Sequence, residues 1–252
     1  MRTFKNRTQL NWFQLIIVLI FLNALMTIPV TINYAKMDIF PLEEFYPNAV
    51  QLLDQEVVDA LEEVDYEEGF LSFNTPFVFQ NEYGLVAGGI EAMENLENEN
   101  LTNSILFEEN QFIISEEGLP TTTVLYTKDF SLENVRTVES LREETGRQWF
   151  TQNRILIVLI FSLMISGFFL MMSLLLVGGA ALFIYLTKKS SLTSVVTYKE
   201  SVNFILNILA IPTLLAMGIS LIHFDVIMMV TVQSVGLIAM LLLVYHKTHF
   251  KD

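Results

Sequence analysis

Residues Ile155 to Leu186 read ILIVLIFSLMISGFFLMMSLLLVGGAALFIYL, 32 positions without a single charge. Roughly 20 apolar residues cross the hydrocarbon core of a bilayer. As one helix this stretch extends about 48 Å at about 1.5 Å per residue. That exceeds one crossing and is too short for two crossings joined by a turn. The reading is one long span, tilted or bent, that projects past one face of a membrane. Whether it bends at Gly178-Gly179 is left open by the sequence.

Working outward, Lys188, Lys189 and Lys199 make the segment 188–200 a short basic loop. Residues 201–222 form a third span, His223-Phe224-Asp225 a minimal turn, and 226–245 a fourth span. The tail 246–252 is again basic, with Lys247 and Lys251. At the other end, residues 1–11 carry Arg2, Lys5 and Arg7, and an apolar run opened by Trp12 and Phe13 fills 12–33. A basic tail before an apolar run also describes a signal peptide. The run is longer than a usual signal core, and Thr27-Ile28-Pro29-Val30-Thr31 offers no clear pair of small residues for cleavage. It therefore reads as a first transmembrane helix or uncleaved anchor. Lysines and arginines concentrate on cytoplasmic loops, which places both termini and 188–200 inside and 34–150 outside, with the long second span at 151–187.

The charge segregation gives the same picture. Of the 28 acidic residues, 25 lie between Tyr34 and Phe150 with only Lys36, Lys128, Arg136, Arg142 and Arg147 to balance them. The rest of the chain is net basic although the whole carries −14. The fold class is an integral membrane protein with four transmembrane α-helices and a small α+β extracytoplasmic domain inserted between the first and second. A nucleic-acid partner is excluded, because phosphate binding needs a basic surface and the large aqueous segment is acidic. With no cysteine there is neither a disulfide framework nor a thiolate metal site. Asn100-Leu101-Thr102 matches a glycosylation acceptor, a tripeptide common by chance.

Within 34–150, apolar residues three and four apart from Pro41 to Val64 predict an amphipathic helix or two, with Pro47 as the break. From Gly69 the period shortens. Phe70–Phe73, Phe77–Phe79 and Leu85–Ala87 read as strands punctuated by Asn74, Pro76, Gly84, Gly88 and Gly89. Ile90–Glu99 reads as a short helix or acidic loop. Ser104–Phe107 and Gln111–Ile114 flank Glu108-Glu109-Asn110 as a hairpin, and Thr122–Tyr126 adds a strand. Ser131 is positioned to cap a helix through Leu132, Val135, Val138 and Leu141. Gly146 weakens that helix, and Trp149 and Phe150 stand where an interfacial aromatic belt would. Continuity with the long span would make it a stalk.

The candidate chemistry is sparse. The acidic run Asp59 to Gly69 fails the calcium-loop pattern, because Pro76 occupies the position of the terminal bidentate acid; a solvated helix end leading into a turn is the reading. Asn203 and Asn207 are four apart and share a face of the third span, Gln233 lies midway through the fourth, and Asn23 lies in the first. Polar side chains at such depth hydrogen-bond across to another helix or mark a substrate or ion path. With no intramembrane acid or base to relay charge, interhelix contacts at Asn23, Asn203, Asn207 and Gln233 are the reading. Ser162, Ser166, Gly178 and Gly179 supply small surfaces for close helix approach, and Pro212 predicts a kink. His246 and His249 are three apart without a third metal ligand beyond Asp252. No motif assembles a nucleophile with its base, so no catalytic, cofactor or metal residue is assigned.

Three runs carry a resemblance: Thr197-Tyr198-Lys199-Glu200-Ser201-Val202-Asn203-Phe204; Ile211-Pro212-Thr213 followed by Gln233-Ser234; and the closing Tyr245-His246-Lys247-Thr248-His249-Phe250-Lys251-Asp252. They resemble the Gram-positive maltodextrin-utilisation family (MalA/YvdJ-like, a domain of unknown function). The layout of one span, an outer α+β domain and three more spans is similar too. The membrane part also resembles, more distantly, the Yip1-like multi-span proteins. Leu85-Val86-Ala87-Gly88-Gly89 stands where the family leads one to expect an acid, so no acidic site carries over there. The resemblance implies a link to maltodextrin genes and neither an established reaction nor catalytic residues; the leading reading is a non-catalytic plasma-membrane protein with a sensing or docking domain, accessory to maltodextrin utilisation or uptake. A permease component or a Yip1-like membrane organiser is the alternative. The expected partners are the lipid bilayer and a protein of the membrane or envelope, with sugar binding an open point. No cofactor is implied.

Overall fold

The structure is a computed structural model that describes residues 6–67, 69–89, 103–132, 135–190 and 194–250. The segment Ile90–Glu99, the tripeptide Asn100–Thr102, Glu68, and the terminal Arg2, Lys5, Lys251 and Asp252 lie outside the described residues. The chain divides into two compact units, one of Met1–Lys36 with Val158–Asp252 and one of Met37–Ile157.

The first unit is helical. Among the described residues, four helices are long and apolar enough to cross a membrane: α1 (Trp12–Lys36), α3 (Val138–Leu186), α4 (Tyr198–Ile222) and α5 (Val226–Thr248). Between α1 and α3 in sequence lies the short α2 (Gln55–Glu62) of the other unit. The membrane-length stretches of these helices are apolar all round. On α1, Leu15, Leu19, Leu22 and Met26 are buried, yet Phe13, Ile16, Ile20 and Phe21 on the opposite side are exposed. An apolar stripe on both faces is the pattern of a helix that meets neighbours on one side and lipid on the other. Inside, Leu19, Val177, Phe204, Ile208 and Leu237 share one core, and Met26, Phe169, Ala216 and Met229 a second.

Local chemistry fixes the helix ends. Thr197 accepts from the Glu200 amide at 3.2 Å, so α4 begins at Tyr198, three residues before the span read from hydropathy. Asp225 accepts from the Met228 amide at 2.9 Å and opens α5. These side-chain oxygens satisfy amides that lack an intrahelical partner. α4 stays helical through Pro212, which is buried. A Cβ placed on Gly236 of α5 would stand 2.8 Å from Pro212 Cβ. The bare glycine is therefore what admits the proline ring at the α4–α5 contact.

The second unit is α+β. Where an amphipathic helix or two was expected over Pro41–Val64, there are two 3-10 turns, Leu42–Glu44 and Ala49–Leu52, and then α2. Pro47 falls between the turns. Asp54 caps α2 by accepting from the Val57 amide at 3.2 Å, which starts a new helix instead of extending an old one. Beyond Glu63 the acidic run becomes β1 (Asp65–Glu67), antiparallel to β2 (Phe70–Ser72), and Gly69 turns between them at φ +98°.

The larger sheet has the order β3-β4-β5-β6-β7, formed by Phe77–Asn81, Gly84–Gly88, Ser104–Phe107, Gln111–Ser115 and Thr122–Leu125. All pairs are antiparallel except β4 with β5, which run parallel with Val86 opposite Ile105. Hence Val86, Ile105, Ile114 and Val124 fall on buried sites. The turn Ala49–Leu52 packs on β4 and β5, and α2 on β3. Glu116, just past β6, is buried and accepts from the amides of Asn48 (3.2 Å) and Ala49 (3.0 Å) and from Asn48 Nδ2 (3.1 Å). One carboxylate thus fastens the turn to the sheet.

Ser131 does not cap a helix. α3 starts at Val138, where Thr137 Oγ1 accepts from the Ser140 amide (3.2 Å) and Ser140 Oγ from the Thr137 amide (3.0 Å). This reciprocal pair wins over Ser131 because it satisfies two amides at once. Trp149 and Phe150 are not on display at a surface. They are buried with Phe40, Phe45 and Tyr46 in an aromatic core, with Phe45 and Trp149 5.0 Å apart and Phe40 stacked on Phe150 at 5.8 Å. Gly146 does not break α3. A Cβ there would meet the Phe40 carbonyl at 3.0 Å, so the glycine lets that segment lie against the helix.

Candidate functional site

In the helical unit the polar residues gather along helix seams. Asn23 Nδ2 on α1 donates to Ser166 Oγ (2.8 Å) and to the Ser166 carbonyl (3.2 Å) on α3. Two turns along α1, Thr31 Oγ1 pairs with Ser162 Oγ at 2.9 Å, a hydroxyl–hydroxyl bond. Thr27 Oγ1 donates to the Asn23 carbonyl and Thr31 Oγ1 to the Thr27 carbonyl, so the stripe repeats every fourth residue. Ser162 and Ser166 therefore act through their hydroxyls as well as their small size. Gln233 Nε2 on α5 donates to Thr213 Oγ1 on α4 at 3.0 Å, both residues being buried. That bond lies one residue along α4 and three along α5 from the Pro212–Gly236 contact.

Asn203 and Asn207 meet each other within α4, where Nδ2 of Asn207 donates to Oδ1 of Asn203 at 3.0 Å. Asn203 is wholly buried, and among the described residues neither its own Nδ2 nor the buried Ser201 Oγ has a hydrogen-bond partner. An unmet donor in an apolar interior costs about 1–3 kcal/mol.

One end of the helical unit collects segments far apart in sequence. Arg7 Nη2 donates to Ser194 Oγ (3.3 Å), and its guanidinium lies 3.5 Å from the Glu200 carboxylate, with both side chains nearly covered. Glu200 also accepts from the Val196 amide at 3.0 Å. The Ser194 amide donates to the Phe250 carbonyl at 2.9 Å, and the Phe250 ring packs on Phe204 and Tyr245. His249 packs edge-on against Tyr245 and ends α5 in the left-handed conformation at φ 47°. Two of the three runs that carry the resemblance thus meet at this end. Sequence reasoning missed Thr197 and Glu200 although Thr-x-x-Glu is a capping signature. No local signal could have paired Arg7 with Glu200.

In the α+β unit a cleft of about 320 Å³ is lined by Glu62, Asp65, Tyr66, Ser131 and Arg136 with Leu61, Val64 and Leu132. Arg136 donates to Glu62 Oε1 at 3.1 Å, an exposed pair that contributes little stability. Tyr66 packs edge-on against Phe130 (5.0 Å) and donates its hydroxyl to the Thr127 carbonyl at 2.9 Å. Phe130 stacks on Tyr126 at 4.5 Å. Burial raises the Tyr66 phenol above its ordinary value. It raises Tyr126 much further, with the nearby Glu108 carboxylate adding to the effect. Both phenols are therefore neutral near pH 7. The cleft offers carboxylates, a guanidinium and an aromatic edge, groups that hydrogen-bond a hydroxyl-rich ligand. Among the described residues no three His, Cys, Asp or Glu side chains converge as a metal site.

The maltodextrose utilization protein MalA of Streptococcus pneumoniae is 31% identical to this chain over 247 residues, which is 98% of this chain and 90% of that protein. The Bacillus subtilis protein YvdJ, provisionally named for maltodextrin utilization, is 26% identical over 242 residues, 92% of this chain and 80% of that protein. No Yip1-like protein is among these relatives. No family model and no solved structure matches the chain.

Proposed function

The chain belongs to the MalA/YvdJ-like maltodextrin-utilisation family, and from that membership we propose a non-catalytic, multi-pass plasma-membrane protein accessory to maltodextrin use or uptake. Its acidic α+β unit senses or docks a ligand or partner outside the cell, and both termini remain in the cytoplasm. The observation that carries the reading is the near end-to-end similarity to a maltodextrose utilization protein, which covers the α+β unit and all four long helices. The orientation is supported by charge. Arg7, Lys188, Lys199 and Lys247 flank the helices on the proposed inner side, and the acids concentrate in the other unit. The bonded Gln233–Thr213 and Asn23–Ser166 pairs support polar groups that hold helices together. The docking unit takes its ligand in the cleft between Tyr66 and Arg136.

A permease component is the second reading. It is favoured by Ser201 Oγ and Asn203 Nδ2, two buried polar atoms within one turn of α4 that have no hydrogen-bond partner among the described residues.

The natural absence of cysteine makes the threading directly testable. In intact cells a membrane-impermeant maleimide should label Glu82→Cys, and label Lys247→Cys only after permeabilisation. The reverse pattern would overturn the orientation. Deletion should slow growth on maltodextrin and not on glucose, with full-length protein restoring it. Tyr66→Ala and Arg136→Ala should fail to restore growth while reaching wild-type levels in the membrane. Full restoration by both would remove the cleft from the proposal. Failure of Asn203→Leu alone, with the cleft variants active, would favour the permease.

A further inference from the structure

A groove of about 220 Å³ opens on the side of the helical unit between α1, α3 and α4. Trp12 and Leu19 line it from α1, Leu174 and Gly178 from α3, and Tyr198 and Leu206 from α4. The lining is aliphatic apart from the polar tips of Trp12 and Tyr198. From Trp12 to Leu19 is about 10 Å along a helix, and from Tyr198 to Leu206 about 12 Å, at about 1.5 Å per residue. That depth fits within one leaflet of a hydrocarbon core about 30 Å thick. The aromatic end stands where Trp and Tyr gather at a membrane–water boundary. Gly178 makes the recess, because a Cβ there would meet only the Tyr198 hydroxyl, at 3.7 Å.

The mouth carries an anchored cation. Tyr198 packs edge-on to Tyr185 at 6.2 Å, and Lys188 Nζ sits 5.9 Å from the Tyr185 ring. The same Nζ donates to the Val196 carbonyl at 2.8 Å, and the side chain is exposed, which leaves donor capacity on the ammonium. Lys199, next to Tyr198, adds a second positive charge. The nearby carboxylate, Glu200, is engaged by Arg7 and does not neutralise them.

We propose that this groove is a binding site for an anionic phospholipid, with one acyl chain lying between α1, α3 and α4 and the headgroup phosphate at Lys188. Apolar cavities of about 150 Å³ already take small hydrocarbons, and basic sites between helices at the cytoplasmic side recognise anionic headgroups. The inference rests on the reading of the long helices as spans.

The test is native mass spectrometry of the detergent-purified full chain, titrated with phosphatidylglycerol or phosphatidylcholine of matched acyl chains. One phosphatidylglycerol should be retained per chain, about fivefold more tightly than phosphatidylcholine, the worth of one base at the headgroup. Lys188→Gln should abolish that preference and leave phosphatidylcholine binding unchanged. Gly178→Leu fills the recess and should weaken both lipids at least tenfold. Gly179→Leu, whose substituent meets open space, should weaken neither, and thermal unfolding of the two leucine variants checks that both are folded. Equal retention by Gly178→Leu and Gly179→Leu would overturn the site. So would the absence of any headgroup preference. A chain released from cell membranes without detergent would instead sink the reading of the helices as spans.

Discussion

Gly236→Ala tests the α4–α5 contact with one methyl group. The added Cβ would stand 2.8 Å from Pro212 Cβ, 3.1 Å from Cγ and 3.5 Å from Cα. All three atoms belong to a ring fused to the backbone, so none can rotate away, and α4 must shift. Overpacking of this kind costs about 1–3 kcal/mol. Alanine for glycine in a helix interior returns up to about 1 kcal/mol, so with the full return the net expectation is a loss of up to about 2 kcal/mol. Gly218→Ala in α4 is the control. A Cβ there meets nothing within 4 Å, and the substitution should be neutral or stabilising. The two substitutions are chemically identical, and only Gly236→Ala should destabilise. Unfolding of the purified full-length protein in mild detergent, by heat or titrated denaturant, reads the difference. Pro212→Ala removes the ring and should cancel much of the Gly236→Ala loss in the double variant, as coupling between residues in contact requires. If Gly236→Ala proves as stable as Gly218→Ala, the helices do not meet at Pro212 and the packing argument fails.

Glu116→Ala should destabilise the α+β unit by about 2–4 kcal/mol, since two amides and the Asn48 carboxamide lose a charged acceptor at once; unfolding followed by fluorescence of the buried Trp149 reports it. Arg7→Gln and Glu200→Gln should each cost about 3 kcal/mol, and the double variant less than their sum, because each single change strands a covered charge. Additive losses in a thermal-shift cycle would mean the two groups are not paired. Tyr126 and Tyr66 are raised in the folded state above the ordinary phenol value of 10.0. Their neutral burial therefore stabilises fully below about pH 10, and the benefit is lost as pH rises through the folded values. Unfolding midpoints should fall with pH above about 10, and less so in Tyr126→Phe.

Helices α3, α4 and α5 were legible because an uncharged run of bilayer length has few alternative readings. Their ends were less so. Hydropathy cannot see that Thr197 carries α4 back to Tyr198, or that Thr137 and Ser140 outcompete Ser131. The hairpin of β5 and β6 was visible in its alternation and acidic turn. The parallel pairing of β4 with β5 was not, because register between strands separated by a crossover is set by tertiary packing. Pro41–Val64 misled for a related reason. Spacings of three and four suit 3-10 turns nearly as well as an α-helix, and Asp54 decided where the helix began. The spacing of Asn203 and Asn207 led to an expectation of contacts across helices, and spacing could not tell that they bond each other within α4. The Tyr66–Arg136 cleft draws its groups from two distant segments and left no local trace.

The β4–β5 seam has a consequence for how the chain is made. β5 must come to lie parallel beside β4 before the middle of the five-stranded sheet exists. By then β3 and β4 can already have paired as a local hairpin. Until β5 arrives, β4 presents an open row of amides and carbonyls along its edge, the kind of edge on which stray chains pair. The seam is thus the late joint of the nascent fold, and variants that slow its closure should lower yield well before they alter the finished protein.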